Sequence, residues 1–148
     1  MRLSVVTPEG AKVDAQVTAV TVPGTVGELG ILPGHRPLIT SLAIGKLSYT
    51  AFGKTTYLAT NDGYMEVHDD VVTVVTQTAE EPDAIDIPRA RAAYEQAERE
   101  LKDIDPLARE AAYAKVRRRR ARALNRLKVA EQHGTPAALR QVREKPSD

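Results

Sequence analysis

The chain contains no cysteine and no tryptophan, and only one phenylalanine among its 148 residues. Without cysteine there is no disulfide framework and no thiol catalysis. With so few aromatic rings, a core must be filled by Val, Ile, Leu and Ala. No apolar run reaches the roughly 18 residues needed to span a bilayer. The N-terminus has no basic stretch followed by an apolar one, so a secretion signal is not expected. Catalytic patterns are missing too. His35, His68 and His133 lie far apart without zinc-ligand spacing. There is no phosphate-binding Walker loop and no nucleophile–base pair, which argues against a small enzyme. His68-Asp69-Asp70 reads as a polar turn between strands rather than the seed of a metal site.

What is present divides into two halves. Residues 1–84 hold five Lys/Arg and ten Asp/Glu, a net charge of −5, and residues 85–148 hold sixteen and ten, a net +6. Such an asymmetry predicts two modules with different partners. In the first half, β-rich runs at Leu3–Thr7, Val13–Ala19, Leu42–Phe52, Thr55–Thr60, Tyr64–Val67 and Val71–Thr76 are separated by Gly, Pro, Asn and Asp turn signals. Short strands spaced in this way predict an antiparallel β-sandwich over 1–84.

The second half changes period. Glycine is missing from 64 to 133, and Ala, Glu, Arg and Leu dominate. Asp86 is the expected N-cap of a first helix, with Pro88 tolerated in its first turn. Asp103-Ile104-Asp105-Pro106 breaks the pattern. Asp105 as N-cap and Pro106 at the first position then predict a second helix running to His133, closed by Gly134. So short a break implies an antiparallel helical hairpin over 85–134, with a seam of Ala90, Ala93 and Ala97 against Ala111, Ala114 and Ala121. Alanines bury little area, so the docking is expected to be weak. Residues 135–148 carry no clear stripe and are expected to form a flexible tail.

Arginine concentrates on the second helix. Successive helical residues are about 100° apart, so Arg117, Arg118, Arg119 and Arg120 sweep about 300°. At least one of them points toward the partner helix or a ligand, where it needs a counter-charge or a stem long enough to carry its head into water. Arg122 and Arg126, at i and i+4, share a face and present two guanidinium forks to a polyphosphate or to carboxylates.

Four segments together resemble one family. Gly27-Glu28-Leu29-Gly30-Ile31-Leu32-Pro33-Gly34-His35-Arg36-Pro37-Leu38, Gly63-Tyr64-Met65-Glu66-Val67, Ile85-Asp86-Ile87-Pro88-Arg89-Ala90 and Arg122-Ala123-Leu124-Asn125-Arg126-Leu127 follow the order and spacing of F-type ATP synthase epsilon subunits of the bacterial type. The resemblance implies a non-catalytic central-stalk subunit. Its sandwich would bind the gamma subunit and the c-ring, with the shaped Glu28–His35 loop against the ring and Glu28 and His35 as polar contacts; His35 satisfying loop carbonyls is the alternative. It further implies helices that inhibit ATP hydrolysis on the catalytic beta and alpha subunits through Lys115 and Arg117 to Arg120. No cofactor is required. ATP is implied as a regulatory ligand, held at its base by Ile85, Asp86, Arg89 and Ala90 and at its phosphates by Arg122 and Arg126; an N-cap with a surface ion pair is the alternative for Asp86 and Arg89. Pro88, and Gln96 where relatives can carry a basic residue, depart from the nucleotide-binding pattern. The implied location is the cytoplasmic face of the bacterial plasma membrane, peripheral and without insertion. A basic helical nucleic-acid-binding module on a β scaffold is the rival reading, weakened by the acidic first half and the lack of stacking aromatics on the helix.

Overall fold

A computed structural model describes residues 1–143, with side chains through Leu139. It divides into two compact units, Met1–Glu81 and Pro82 onward.

The first unit is all β. Its strands are β1 (Arg2–Thr7), β2 (Gly10–Gln16), β3 (Ala19–Gly24), β4 (Gly27–Ile31), β5 (Leu38–Leu42), β6 (Gly45–Ala51), β7 (Lys54–Thr60), β8 (Gly63–His68), β9 (Val71–Thr76) and β10 (Ala79–Glu80). Hydrogen bonding runs continuously in the order β10-β7-β6-β3-β5-β8-β9-β1-β2, with β4 added to β3. The path turns its corner at β3. That strand pairs with β6 through Ala19, Val20 and Thr21, but with β5 only through Gly24 and Leu42. Two layers result, and their alternating inward residues meet in one core. Val20, Val22, Ile31, Leu47 and Leu58 come from one side, and Leu3, Val5, Leu42, Met65, Val67, Val72 and Val74 from the other. The core is aliphatic, as the scarcity of rings requires.

Three sequence expectations change in this unit. The run Val13–Ala19 is not one strand: β2 ends at Gln16 and β3 starts at Ala19, because the chain leaves the edge beside β1 to pair with β6. The segment Gly27–Ile31, expected as loop, is strand β4, paired with β3 from Val20↔Ile31 to Gly24↔Gly27. The sheet is also not purely antiparallel, since β1 runs parallel to β9 from Arg2↔Val71 to Val6↔Val75. A parallel pair needs a long crossover, and here everything from β2 to β8 lies between the partners.

Gly63 illustrates how tightly the strands approach. A Cβ there would lie 1.9 Å from the Val75 carbonyl oxygen, so only glycine lets β8 begin against β9. The β8–β9 hairpin turns through Asp69 and Asp70, at φ 50° and 62°, the left-handed pair a two-residue hairpin demands.

The second unit opens with a 3-10 turn, Pro82–Ala84, and continues as α1 (Ile87–Lys102), α2 (Glu110–His133) and α3 (Pro136–Arg143). Helices α1 and α2 form the antiparallel hairpin. The seam is narrower than expected on α1, where Ile87, Ala90 and Ala97 are buried but Ala93 is exposed. On α2 it is a different stripe. Val116, Ala123, Val129 and Ala130 are buried, whereas Ala111, Ala114 and Ala121 are exposed. Helical phase explains this, because 116, 123 and 130 recur at seven residues while 114 and 121 fall on roughly the opposite side.

Helix α2 also starts later than Asp105-Pro106 suggests. Asp105 does accept from the Leu107 amide at 2.9 Å, and its carbonyl accepts from the Arg109 amide at 2.9 Å. That single turn does not propagate, and the helix begins at Glu110, behind Arg109, which makes no side-chain cap. At the far end Gly134 is the C-cap as expected, but at φ −69° and ψ 153° it is extended rather than left-handed. Glycine is needed there for room, since a Cβ would sit 2.4 Å from the Ala130 carbonyl oxygen. Beyond it, part of the expected flexible tail is helix α3, and residues 144–148 of that tail lie outside the described residues. Among the described residues no helix is long and apolar enough to cross a membrane.

Candidate functional site

The entrance to the helical unit is built by Asp86. Its backbone is extended (φ −77°, ψ 93°) and its Oδ1 accepts from the Arg89 amide at 3.1 Å. Pro88 follows in the first turn, where a missing N–H costs nothing. Ile85 and Ile87 are buried on either side of this cap. Together with Pro82, Asp83, Pro88, Ala130, Gly134, Ala138 and Leu139 they line an open cavity of about 170 Å³.

Of the residues expected to hold a nucleotide, the structure therefore brings Ile85 and Asp86 to one cavity. Ala90 is buried one turn into α1, and Arg89 is exposed beside the cap. Arg122 and Arg126 are half-buried and do not line the cavity. They stand on α2 eight and four residues before Ala130, which does line it. At 1.5 Å per residue those offsets are about 12 and 6 Å along the axis.

The arginine run is split by helical phase. Arg119 and Arg120 stand three and four residues after buried Val116, so both flank the seam. Arg119 pairs with Glu100 of α1. Arg120 pairs with Glu98, and its guanidinium also donates to the Tyr94 hydroxyl at 3.3 Å and lies 5.2 Å from the centre of that ring. The Glu98 carboxyl is held below its ordinary range, chiefly by the hydrogen bond from Arg120. The guanidinium of Arg120 is correspondingly held above its own, chiefly by Glu98. Lys115, Arg117 and Arg118 are exposed. Four neighbouring arginines thus serve two ends, two of them joining the helices and two facing outward.

In the sandwich, Glu28 is exposed on β4 and His35 is exposed in the turn that follows. The turn is shaped by backbone bonds. The His35 amide donates to the Leu32 carbonyl at 3.1 Å, and the His35 Nδ1 lies 2.7 Å from the Arg36 carbonyl oxygen. The Gly34 amide donates to Asp70 Oδ1 at 3.1 Å, and the N-terminal ammonium lies 3.3 Å from the other oxygen of Asp70. Those ties hold the Asp70 carboxyl below its ordinary range, the Gly34 amide contributing most. His35 is thus bonded within its own loop, the simpler of the two roles expected of it, while its ring stays accessible.

Sequence reading missed the anchors: Glu98, Glu100 and Tyr94 for the arginines, Asp70 for the loop, and Asp83 for the far end of α2. Glu98 and Glu100 carry only a charge signal, as acidic residues on the helix that faces the arginine run; a turn over 103–109 would set residues 98–100 against 112–114, and the stagger that brings them to Arg120 and Arg119 is decided by packing. Asp70 carries none, since only strand topology brings it beside Gly34.

Comparison with known proteins places these features. The family model for the ATP synthase delta/epsilon chain β-sandwich domain matches residues 1–82. The ATP synthase epsilon chain of Geobacter sulfurreducens is 42% identical over 130 residues, covering 88% of this chain and 93% of that one. Epsilon chain 2 of Syntrophotalea carbinolica is 40% identical over 134 residues, covering 90% and 96%. Among solved structures, a chain of the Euglena gracilis mitochondrial ATP synthase OSCP/F1/c-ring assembly superimposes with a TM-score of 0.70 at 26% identity, over 88% of this chain and 78% of that one. A chain of the Tetrahymena thermophila mitochondrial ATP synthase central stalk and c-ring shares the fold, with a TM-score of 0.57 at 16% identity over 91% and 96%.

Proposed function

We infer that this chain, which belongs to the ATP synthase delta/epsilon chain family, is a non-catalytic central-stalk subunit of a proton-translocating F-type ATP synthase, coupling gamma to the c-ring and restraining ATP hydrolysis through its helices. The observation that carries this reading is the coincidence of two boundaries. The family match ends at residue 82, and the all-β unit ends at Glu81, where a basic helical hairpin begins. The sandwich is the part that binds gamma and the ring, with exposed Glu28 and His35 on the ring side. Lys115, Arg117 and Arg118 are exposed, on the side that meets acidic surfaces of the catalytic beta and alpha subunits in this reading. Arg119 and Arg120 reach such a surface only if they leave Glu100 and Glu98. The subunit sits at the cytoplasmic face of the bacterial plasma membrane as a peripheral part of the complex.

ATP is the regulatory ligand of this reading. Its base enters the cavity at Ile85 and Asp86, beside Arg89 and Ala90, and its phosphates reach Arg126 and Arg122 along α2. Hydrogen bonds to charged groups are worth about 1.5–3 kcal/mol each, enough to favour a closed hairpin that is poised within a few kcal/mol of opening.

The test is co-purification of the full chain and of a chain lacking residues 85–148 with gamma and the c-ring, followed by ATPase assays. Both chains are expected to assemble, and only the full chain to inhibit. Loss of assembly by the shortened chain, or equal hydrolysis with both, refutes the division of labour.

A further inference from the structure

The segment joining the two compact units is poor in bonds of its own. Within Pro82–Asp86 the one backbone bond seen is from the Ile85 amide to the Pro82 carbonyl, at a long 3.4 Å. Its order must come from elsewhere in the chain. The tie comes from 52 residues away, where the Thr135 amide donates to Asp83 Oδ1 at 2.7 Å, a short bond to a charged acceptor. Thr135 is also the start of α3. Its Oγ1 accepts from the Ala138 amide at 3.3 Å and its carbonyl from the Leu139 amide at 3.1 Å. Extended Gly134 turns the chain out of α2 so that this short helix comes back over the entrance. Ala138 and Leu139, both half-buried, line the same cavity as Ile85, Ile87 and Pro88.

We propose that α3 is a strap that locks the junction segment 82–88, through the Asp83–Thr135 hydrogen bond and the cavity lining of Leu139 together. Any change of backbone angles in that segment first requires the strap to lift, and lifting it opens the cavity. The inference concerns the chain's own motion and holds whether or not a nucleotide enters there.

Two ties on one strap make a reciprocal test, read by amide hydrogen exchange of the full chain. Leu139→Ser changes a residue outside the junction, yet is expected to speed exchange of amides 85–90 about tenfold or more. Asp83→Ala changes a residue outside α3, yet is expected to speed exchange beyond the Thr135 amide it bonds, through 137–139, by a similar factor. Asp83→Asn, which keeps an acceptor oxygen, is expected to retain most of the protection. If each substitution loosens only its own side, the two ties are independent local contacts and the strap is refuted. A general rise throughout α1 and α2 as well would also refute it, because the lock would then be no more than global stability.

Discussion

Asp86 carries one role seen in the structure and a second in the proposed function, and the two can be separated. As the N-cap of α1 its Oδ1 takes the Arg89 amide at 3.1 Å. Pro88 has no amide proton, and the Ala90 amide is taken by the Asp86 carbonyl at 3.0 Å. The side-chain bond to Arg89 is therefore what distinguishes a good cap from a poor one here. Asp86→Ala is expected to cost about 1 kcal/mol, within the 0.5–2 kcal/mol span of such replacements, whereas Asp86→Asn caps about equally well. In a unit of some sixty residues, about 1 kcal/mol lowers the melting temperature by roughly 4–8 °C. Thermal melts followed by far-UV circular dichroism, with exchange of the Arg89 amide as the local probe, measure it. Ala and Asn variants that melt alike would refute the cap argument. ATP titration of the Asn variant then reads the second role on an intact helix. Weaker binding at an unchanged melting temperature is expected, because the neutral amide is a poorer partner for an exocyclic amine than the carboxylate.

Gly63→Ala drives a Cβ into the Val75 carbonyl at 1.9 Å and is expected to destabilise the sandwich by about 3 kcal/mol; an unchanged denaturant midpoint would show that β8 can shift. Arg122→Ala combined with Arg126→Ala is expected to abolish ATP binding by the isolated chain with its helical content retained, and an unaltered titration would remove both from the site. Glu98→Gln with Glu100→Gln is expected to raise amide exchange along the α1–α2 seam at low salt, with the difference from the parent shrinking at about 1 M salt, where charges are screened beyond a few Å; a difference that persists would mean that packing rather than charge was lost. Asp70 is held low by Gly34 and the N-terminus, so its contribution is complete above the ordinary carboxylate range and is lost as pH falls through its depressed folded-state value. Below about pH 4 the Gly34 amide is therefore expected to lose protection, and Asp70→Asn to flatten that dependence; an unchanged acid profile in the variant would place the titrating group elsewhere.

Local patterns were legible wherever the cause was local. Asp86 was readable as a cap because capping needs only a side chain and an amide three residues away. Gly134 was readable as the end of α2 because little but glycine tolerates the Ala130 carbonyl so near. The stop at Asp103 was readable too, but the start at Glu110 was not, since the turn at Asp105 satisfies its own bonds and nothing in the sequence says it fails to propagate. The alanine seam was misread because Ala is equally at home on either side of a helix. Only the packing of α1 against Val116 and Ala123 selects the buried stripe.

By itself, then, the amino-acid order determined an aliphatic β unit, a basic helical unit and the ends of α1. These follow from periodicity, capping and composition, which act over a few residues. Tertiary structure decided that β1 runs parallel to β9, that Asp70 anchors the turn bearing His35, that Arg119 and Arg120 pair with Glu100 and Glu98 of α1, and that Asp83 meets Thr135. Each of these joins residues far apart in the chain, and partners at that separation are chosen by topology and by the phase of packed surfaces, which no short stretch of sequence encodes.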